Sequence, residues 1–175
     1  MQSRLLVIPL LSFLLVACGP VLIENKQHQD NNSGLADSMV TYNQKFAEYE
    51  AQLIEDYIKR HRLRMDISGT GLRYKIINSG KGRLIQKGQQ IALAYRMYLL
   101  TGDLIDEVSP KDPLKFTVGK GEVVAGLEEI IPKLSVGGKA KIIVPSHLAY
   151  GATGVSGEIP PRASLVYDIE IIDVQ

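Results

Sequence analysis

The side chains that most often carry catalysis are few in this chain and stand in unfavourable contexts. The three histidines, His28, His61 and His147, are far apart and match no metal-ligand spacing, so we expect them to face solvent. Ser146 lies in no nucleophile-elbow sequence. The run Gly137-Gly138-Lys139 is followed by alanine where a phosphate-binding loop needs serine or threonine, which favours a tight turn. The sequence therefore offers no recognisable metal site, phosphate-binding loop or activated nucleophile.

The single cysteine, Cys18, has a context that indicates modification rather than catalysis. A short basic segment, Met1 to Arg4, precedes an apolar run from Leu5 to Ala17 that is too short for the ~20 residues of a spanning helix. This pattern predicts a signal peptide over residues 1–17. The residues Leu15-Val16-Ala17-Cys18 resemble the lipobox at which bacterial lipoproteins are cleaved and acylated, so we expect palmitate or a similar acyl chain on Cys18. A buried thiol is the alternative, but the end of an apolar leader is a poor place for a core residue.

The segments that follow predict a tether and then an amphipathic helix. Residues 18–38 are rich in Asn, Gln, Asp, Ser and Gly, as a flexible linker is. Asp37 or Ser38 can cap a helix predicted over residues 39–66. Its apolar face could pack on its own domain, on a second copy of the chain or on a client polypeptide. The apolar residues recur at three- and four-residue spacings, at Phe46, Tyr49, Leu53, Ile54, Tyr57 and Ile58.

From residue 67 to the end, the pattern is that of strands separated by Gly and Pro. One convincing helix, predicted over 123–134, interrupts them. In the last strand, apolar and polar residues alternate, which places Tyr167 on the inward face. A single short helix beside an antiparallel sheet makes residues 67–175 an α+β domain. Strands are predicted over 72–77, 90–100, 114–118, 139–144 and 164–174.

Charge and composition narrow the classes of partner. The chain carries 20 basic and 19 acidic side chains, which gives no broad electrostatic footprint for phosphate backbones or anionic lipid. We therefore expect no nucleic-acid partner. The hydrophobic content of 45% is typical of a globular protein.

Ordered sequence blocks over the C-terminal part resemble the FKBP-type peptidyl-prolyl cis-trans isomerases. The strongest is AYGATG at 149–154, followed by IPP at 159–161 and ASLVYDIE at 163–170. The lipobox, tether and helix are also similar to those of the membrane-anchored FKBP lipoproteins of Gram-negative bacteria. Further matching blocks lie at 94–95, 102–106, 113–116, 118–119, 122–129 and 134–139.

This resemblance implies a twisted antiparallel sheet wrapped around the short helix, with a shallow apolar pocket for a proline ring. It implies that Asp106 and Tyr150 are the catalytic residues and that Leu127 is the pocket floor. The Tyr150 hydroxyl and the backbone N–H of Ile159 would hold substrate carbonyls, while Asp106 orients the polar rim. Phe116 would lie deeper as support. The remaining substrate-binding residues would be Tyr95, Ile105, Leu114, Val123, Val124, Ile159 and Tyr167.

The reaction that the resemblance implies is rotation about a prolyl peptide bond. Its barrier is about 18 to 20 kcal/mol, and a catalyst need only bind the twisted state better than the planar ones. No cofactor or metal is therefore expected. Leu127, Ile105 and Leu114 stand where well-studied members carry aromatic residues, and Tyr167 stands where Phe is common, so we expect a weaker hold on proline.

These observations predict an isomerase that assists folding of exported proteins. The expected partners are unfolded or exported polypeptides that contain proline, a membrane through the lipid anchor, and a second copy of the chain through residues 39–64. The expected location is the outer membrane of a Gram-negative bacterium, facing the periplasm. The alternative is a chaperone or scaffold lipoprotein that uses an FKBP fold with little catalysis.

Overall fold

The computed structural model describes residues 31–175, with side chains described from Asp37 onward. The predictions made for the signal peptide, for Cys18, for His28 and for residues 18–30 of the tether lie outside these residues. Within the described part, no helix is both long and apolar enough to cross a bilayer.

In the described part of the chain, seven strands form one antiparallel sheet in the order β1-β2-β6-β7-β3-β4, with β5 paired to β3. Short 3-10 turns cover Ile131–Lys133 and Ser146–Leu148. The helices are α1, Asn31–Arg60, and α2, Ala125–Ile130. The strands are β1, Asp66–Ile67; β2, Arg73–Asn78; β3, Gln90–Leu99; β4, Leu104–Val108; β5, Leu114–Thr117; β6, Lys139–Val144; and β7, Leu165–Val174.

The α+β prediction is confirmed, but the boundaries of both helices were predicted wrongly. Helix α1 begins at Asn31, so Asp37 and Ser38 lie inside it rather than capping it, and residues 31–38 are helical rather than part of a tether. The polar composition there contains no proline, so nothing in it prevents a helix. The helix ends at Arg60 because Arg62 adopts a left-handed φ of 52° and the Arg62 and Leu63 N–H groups bond back to the carbonyls of Lys59 and Ile58.

Helix α2 is shorter than the predicted 123–134. Val124 has extended backbone and precedes the first helical residue. At the other end, Pro132 has no N–H to continue an α-helix, and the chain tightens into a 3-10 turn. Strands β1 and β4 were not predicted as strands, because β1 is two residues long and β4 carries acidic side chains within an otherwise apolar run.

The sheet is packed on both of its faces at strands β6 and β7. The inner face packs against α2, while the outer face, which carries Ile143 and Val166, packs against Ile54 and Tyr57 of α1. The domain itself therefore covers part of the apolar stripe of α1. The inner core includes Leu72, Ile91, Leu93, Met97, Ile130, Leu134, Ile142, Val144, Leu165, Ile169 and Ile171.

Candidate active site

A fixed tyrosine–carboxylate pair lies where strands β3 and β4 run side by side. The Tyr95 hydroxyl donates to Oδ2 of Asp106 at 2.5 Å. The other oxygen, Oδ1, accepts the backbone N–H of Glu107 at 2.8 Å. Because both carboxylate oxygens have donors, the Asp106 side chain is held in one orientation and so is the Tyr95 phenol.

Tyr167 lies beside this pair and is only 2% exposed. Its ring meets the Tyr95 ring edge to face, with centroids 5.7 Å apart. Burial above all, and then the neighbouring Tyr150 and Tyr95 phenols, raise the pKa of Tyr167. Burial, followed by the hydrogen bond to Asp106, likewise raises the pKa of Tyr95. Both phenols therefore stay protonated at neutral pH.

Tyr150 completes this group. It follows the 3-10 turn Ser146–Leu148 and is 37% exposed, and it lies close enough to affect the pKa of both other phenols. We call Tyr95, Asp106, Tyr150 and Tyr167 the tyrosine cluster. Tyr150 is the most exposed of its three phenols, and Tyr167 is the most buried.

The predicted substrate-binding residues all belong to, or pack against, the inner apolar core. Leu127 reaches this core from α2, and Phe116 reaches it from β5, where both are nearly inaccessible to solvent. The structure thus brings the predicted lining together beside the tyrosine cluster. The buried members are Phe116, Leu127, Ile159 and Tyr167, and the partly buried members are Tyr95, Ile105, Leu114, Val123 and Val124.

The segment 149–163, which we call the tip loop, closes over this core. Val155 and Ile159 pair with each other, since Val155 N–H donates to the Ile159 carbonyl at 2.8 Å and Ile159 N–H donates to the Val155 carbonyl at 2.9 Å. Gly154 has a left-handed φ of 64°, and a Cβ there would collide with the carbonyl oxygens of Ile159 and Pro160. The role predicted for the Ile159 N–H is wrong in this conformation, because that donor is already used within the loop.

Several residues that support the candidate site were not predicted from the sequence. Glu128 on α2 accepts the N–H groups of Gly119 at 2.6 Å and Gly121 at 3.0 Å, which fixes the turn after β5. The other omissions are side chains that pack against the same core, namely Leu148, Ala149, Val155 and Ala163. A glutamate in the first turn of α2 so soon after two glycines was the available signal for Glu128.

A separate groove runs along β3, β4, β6 and β7, and Tyr95 is the one predicted site residue in its lining. Its charged side chains pair with each other, Arg96 with Glu107 at 2.7 Å and Lys139 with Glu170 at 3.0 Å. Apart from Tyr95, the predicted substrate-binding residues therefore lie at the apolar core beside the tyrosine cluster rather than in this groove. Across residues 31–175 as described, no three His, Cys, Asp or Glu side chains converge as metal ligands would.

A model of the FKBP-type peptidyl-prolyl cis-trans isomerase family matches residues 81–172, which is more than half of the chain. This chain belongs to that family. The matched residues contain every member of the tyrosine cluster and the complete tip loop. The isomerase assignment and the FKBP fold are thus confirmed, and the resemblance noted in the sequence was correct at that level.

Curated relatives and solved structures agree with the assignment. FK506-binding protein 1 of Debaryomyces hansenii is 38% identical over 102 residues, which cover 57% of this chain and 91% of the relative. The FK506-binding protein of Neisseria meningitidis serogroup B is 35% identical over 105 residues, which cover 59% of this chain and 96% of the relative.

Among solved structures, that of AtFKBP13 is 32% identical with a TM-score of 0.60, and the match covers 64% of this chain and 99% of that one. The structure of FkpA from Escherichia coli is 31% identical with a TM-score of 0.64, and here the match covers 80% of this chain and 65% of that one.

Proposed function

We propose that this FKBP-type isomerase catalyses prolyl isomerisation in exported polypeptides through the tyrosine cluster and the adjoining apolar core. The observation that carries the proposal is the geometry of the cluster. Tyr95 and Asp106 bind each other, Tyr167 packs edge to face against Tyr95, and Tyr150 is the most exposed phenol of the group. A proline ring enters over Leu127 while its preceding carbonyl meets the Tyr150 hydroxyl.

The pocket accelerates rotation by favouring the twisted amide. Loss of resonance on twisting reduces the charge separation of the amide, so an apolar, water-poor pocket holds the twisted state at a smaller desolvation cost than the planar state. The Tyr150 hydroxyl then fixes the carbonyl while the C–N bond turns. The protonated Tyr95 and Tyr167 phenols add no charge of their own to the pocket wall.

Aliphatic residues limit how tightly this pocket grips. Leu127, Ile105 and Leu114 supply less contact area than aromatic rings would, and aromatic geometry adds affinity beyond area. Two relatives are named FK506-binding proteins. We propose that this chain also binds FK506, but weakly. The aliphatic pocket should reduce drug binding more than it reduces catalysis.

The lipid anchor is proposed from the sequence around Cys18. Acylation of Cys18 would hold the isomerase at the outer membrane of a Gram-negative bacterium, facing the periplasm, where exported polypeptides fold. Fractionation of cells that express a Cys18→Ser variant tests this. Release from membranes is expected, and retention after salt and carbonate washes would overturn the anchor.

A homodimer through α1 is proposed from the apolar side chains that the domain leaves exposed. Met39, Tyr42, Tyr49 and Leu53 are exposed. Together with the half-buried Phe46 they recur at alternating three- and four-residue spacings, as in a helix–helix seam. Sedimentation of the Cys18→Ser protein beside a Tyr49→Glu variant tests this pairing. A dimer that the variant converts to monomer is expected, and a monomeric parent protein would exclude the dimer.

Proline-limited refolding of an unfolded protein, with the non-acylated Cys18→Ser chain as catalyst, tests the isomerase proposal. A hydrogen bond contributes about 0.5–1.5 kcal/mol net, which corresponds to roughly two- to tenfold in rate. Tyr150→Phe and Asp106→Asn should each lower kcat/KM by that factor. Tyr49→Phe, which removes only the hydroxyl of a tyrosine that is 60% exposed on α1, is the matched control and should leave kcat/KM unchanged. Equal activity in all variants would contradict the assigned site.

A further inference from the structure

Glu50 of α1 is buried, although glutamate is rarely buried unless its charge has partners. Its side chain is 5% exposed, and it lies on the same covered row of the helix as Ile54 and Tyr57. Oε1 accepts the backbone N–H of Ser146 at 2.6 Å and the Ser164 hydroxyl at 2.6 Å, while Oε2 accepts the Ser146 hydroxyl at 3.1 Å. These donors satisfy the carboxylate inside the fold.

The two serines flank the tip loop. Ser146 begins the 3-10 turn that leads into Tyr150, and Ser164 directly precedes β7. One carboxylate on α1 therefore joins the chain on both sides of the segment that carries Tyr150 and Ile159. Charge-assisted hydrogen bonds of this kind are short and directional, and they restrain both serines together.

The restraint at Ser146 extends to Tyr150 through the backbone. The Ser146 carbonyl accepts the N–H groups of Ala149 at 3.0 Å and Gly151 at 2.8 Å, the residues on each side of Tyr150. Glu50 thus holds Ser146 through its N–H and its hydroxyl. The Ser146 carbonyl in turn holds both neighbours of Tyr150. A shift of this turn moves the Tyr150 hydroxyl.

A second contact between α1 and the tip loop is made by Arg162. Its guanidinium lies 4.4 Å from the Phe46 ring centroid and 5.2 Å from that of Tyr42, and it donates to Asn43 Oδ1 at 3.2 Å. Its backbone N–H donates to the Gly151 carbonyl at 3.0 Å. The side chain thus ties the end of the loop to α1 while the backbone ties it to the residue after Tyr150.

We propose that α1 braces the tip loop, with Glu50 and Arg162 as positioning residues that hold Tyr150 where it meets the substrate carbonyl. This inference rests on the proposed function, since it takes Tyr150 as the residue that contacts substrate. Neither positioning residue lies in the pocket lining. They act by keeping the tip loop in its productive geometry, and small displacements of a catalytic group cost rate.

Peptide kinetics on the Cys18→Ser protein test the brace. Glu50→Ala should lower kcat for a proline tetrapeptide by about fivefold, since loss of positioning acts on the transition state. KM should change less than about twofold, because Leu127, Tyr95 and Tyr167 still seat the ring. Glu50→Gln keeps an acceptor oxygen and should recover most of kcat. Glu48→Ala, at an exposed position of the same helix, is the matched control for helix propensity and charge.

Two more conservative substitutions test the same contacts with less risk of unfolding the protein. Ser164→Ala removes one donor and leaves the helix intact, and Arg162→Lys keeps the charge while losing the planar stack on Phe46. Each should lower kcat by about twofold with an unchanged melting temperature, as a weakened rather than a lost restraint requires. Hydrogen exchange should also quicken at the Gly151 and Ile159 amides, but not in β3.

The outcomes separate the brace from the proposed site. Loss of activity in Tyr150→Phe, with unchanged kcat and unchanged loop exchange in folded Glu50 and Arg162 variants, overturns the brace and leaves the proposed function standing. Unchanged activity in Tyr150→Phe overturns the proposed site instead, whatever the loop exchange shows. Lower kcat in Glu50→Ala that Glu50→Gln does not restore also overturns the brace, because it indicates general damage to packing.

Discussion

The two faces of strands β6 and β7 carry different kinds of information about this protein. Ile142 and Ile143 are adjacent in sequence and both are fully buried. Ile142 faces the inner core beside the candidate active site, whereas Ile143 faces α1. Leu165 and Val166 divide in the same way on β7. The inner face carries the predicted substrate-binding residues, whereas the outer face carries the contacts with the N-terminal helix α1.

The outer face depends on fewer apolar contacts than the inner face, and polar contacts supplement them. Arg73 of β2 is nearly buried and its guanidinium pairs with Glu55 of α1 at 3.0 Å. Together with the Glu50 carboxylate, this pair fixes the helix in one register on the sheet. Residues 39–60 of α1 therefore belong to the isomerase domain rather than forming an independent appendage.

The largest expected effect on stability comes from truncating Ile142 or Ile143, the two neighbouring isoleucines that face opposite sides of the sheet. Ile142→Ala and Ile143→Ala should each lower the free energy of unfolding by about 2–5 kcal/mol, because each removes a fully buried side chain and leaves a cavity. Urea denaturation of both variants measures this. A cost below about 1 kcal/mol for Ile143→Ala alone would mean that α1 does not cover the outer face in solution.

A smaller effect is expected where α2 approaches the inner face. A Cβ on Gly126 would lie 2.5 Å from Cγ1 of Val144, whose branched side chain has little freedom to move. Gly126→Ala should therefore cost about 1–3 kcal/mol, although alanine favours helix more than glycine does.

Gly69 supplies the control for that substitution. A Cβ there meets nothing within 4 Å, and its φ lies outside the left-handed region, so Gly69→Ala should be neutral or slightly stabilising. Thermal melting compares the two variants. A melting temperature for Gly126→Ala at or above that of the parent would show that α2 can move away from β6 without loss.

The inner face was largely predictable because local pattern and family resemblance agree there. Alternation along the last strand placed Tyr167 inward, and the sequence blocks assigned Tyr95 and Asp106 to the site, although β4, which carries Asp106, was not predicted as a strand. The use of the Ile159 N–H within the loop was not predictable, since it depends on the pairing of two loop residues through space.

The outer face was less predictable because its partners are distant in sequence. The apolar spacing of α1 indicated a buried stripe, but it included Tyr49 and Leu53, which are exposed, and omitted Glu50, which is buried. Residue spacing defines the buried face of a helix only approximately. A charged residue on that face is predicted to be exposed to solvent unless its hydrogen-bond donors are known. Glu50 follows Phe46 and precedes Ile54 by one helical turn each, which was the available signal.

The smallest effect concerns alkaline pH. The folded chain keeps Tyr167 protonated because its pKa is raised, whereas the unfolded chain ionises it near 10, so unfolding releases a proton and stability falls as the pH rises above 10. Tyr167→Phe removes this contribution, which is at most about 1.4 kcal/mol per pH unit. Urea unfolding between pH 8 and 11 should give a shallower decline in the variant. Identical slopes would place Tyr167 in contact with solvent.

Native-state hydrogen exchange tests most directly whether α1 belongs to the isomerase domain. If it does, the amides of Ile54 and Tyr57 open together with those of β6, and their exchange free energies agree within about 1 kcal/mol. The opposite result would be α1 amides that exchange almost freely while the β6 amides remain protected to the full unfolding free energy. That result would show that the helix leaves the sheet independently, and it would contradict both the outer-face packing and the brace.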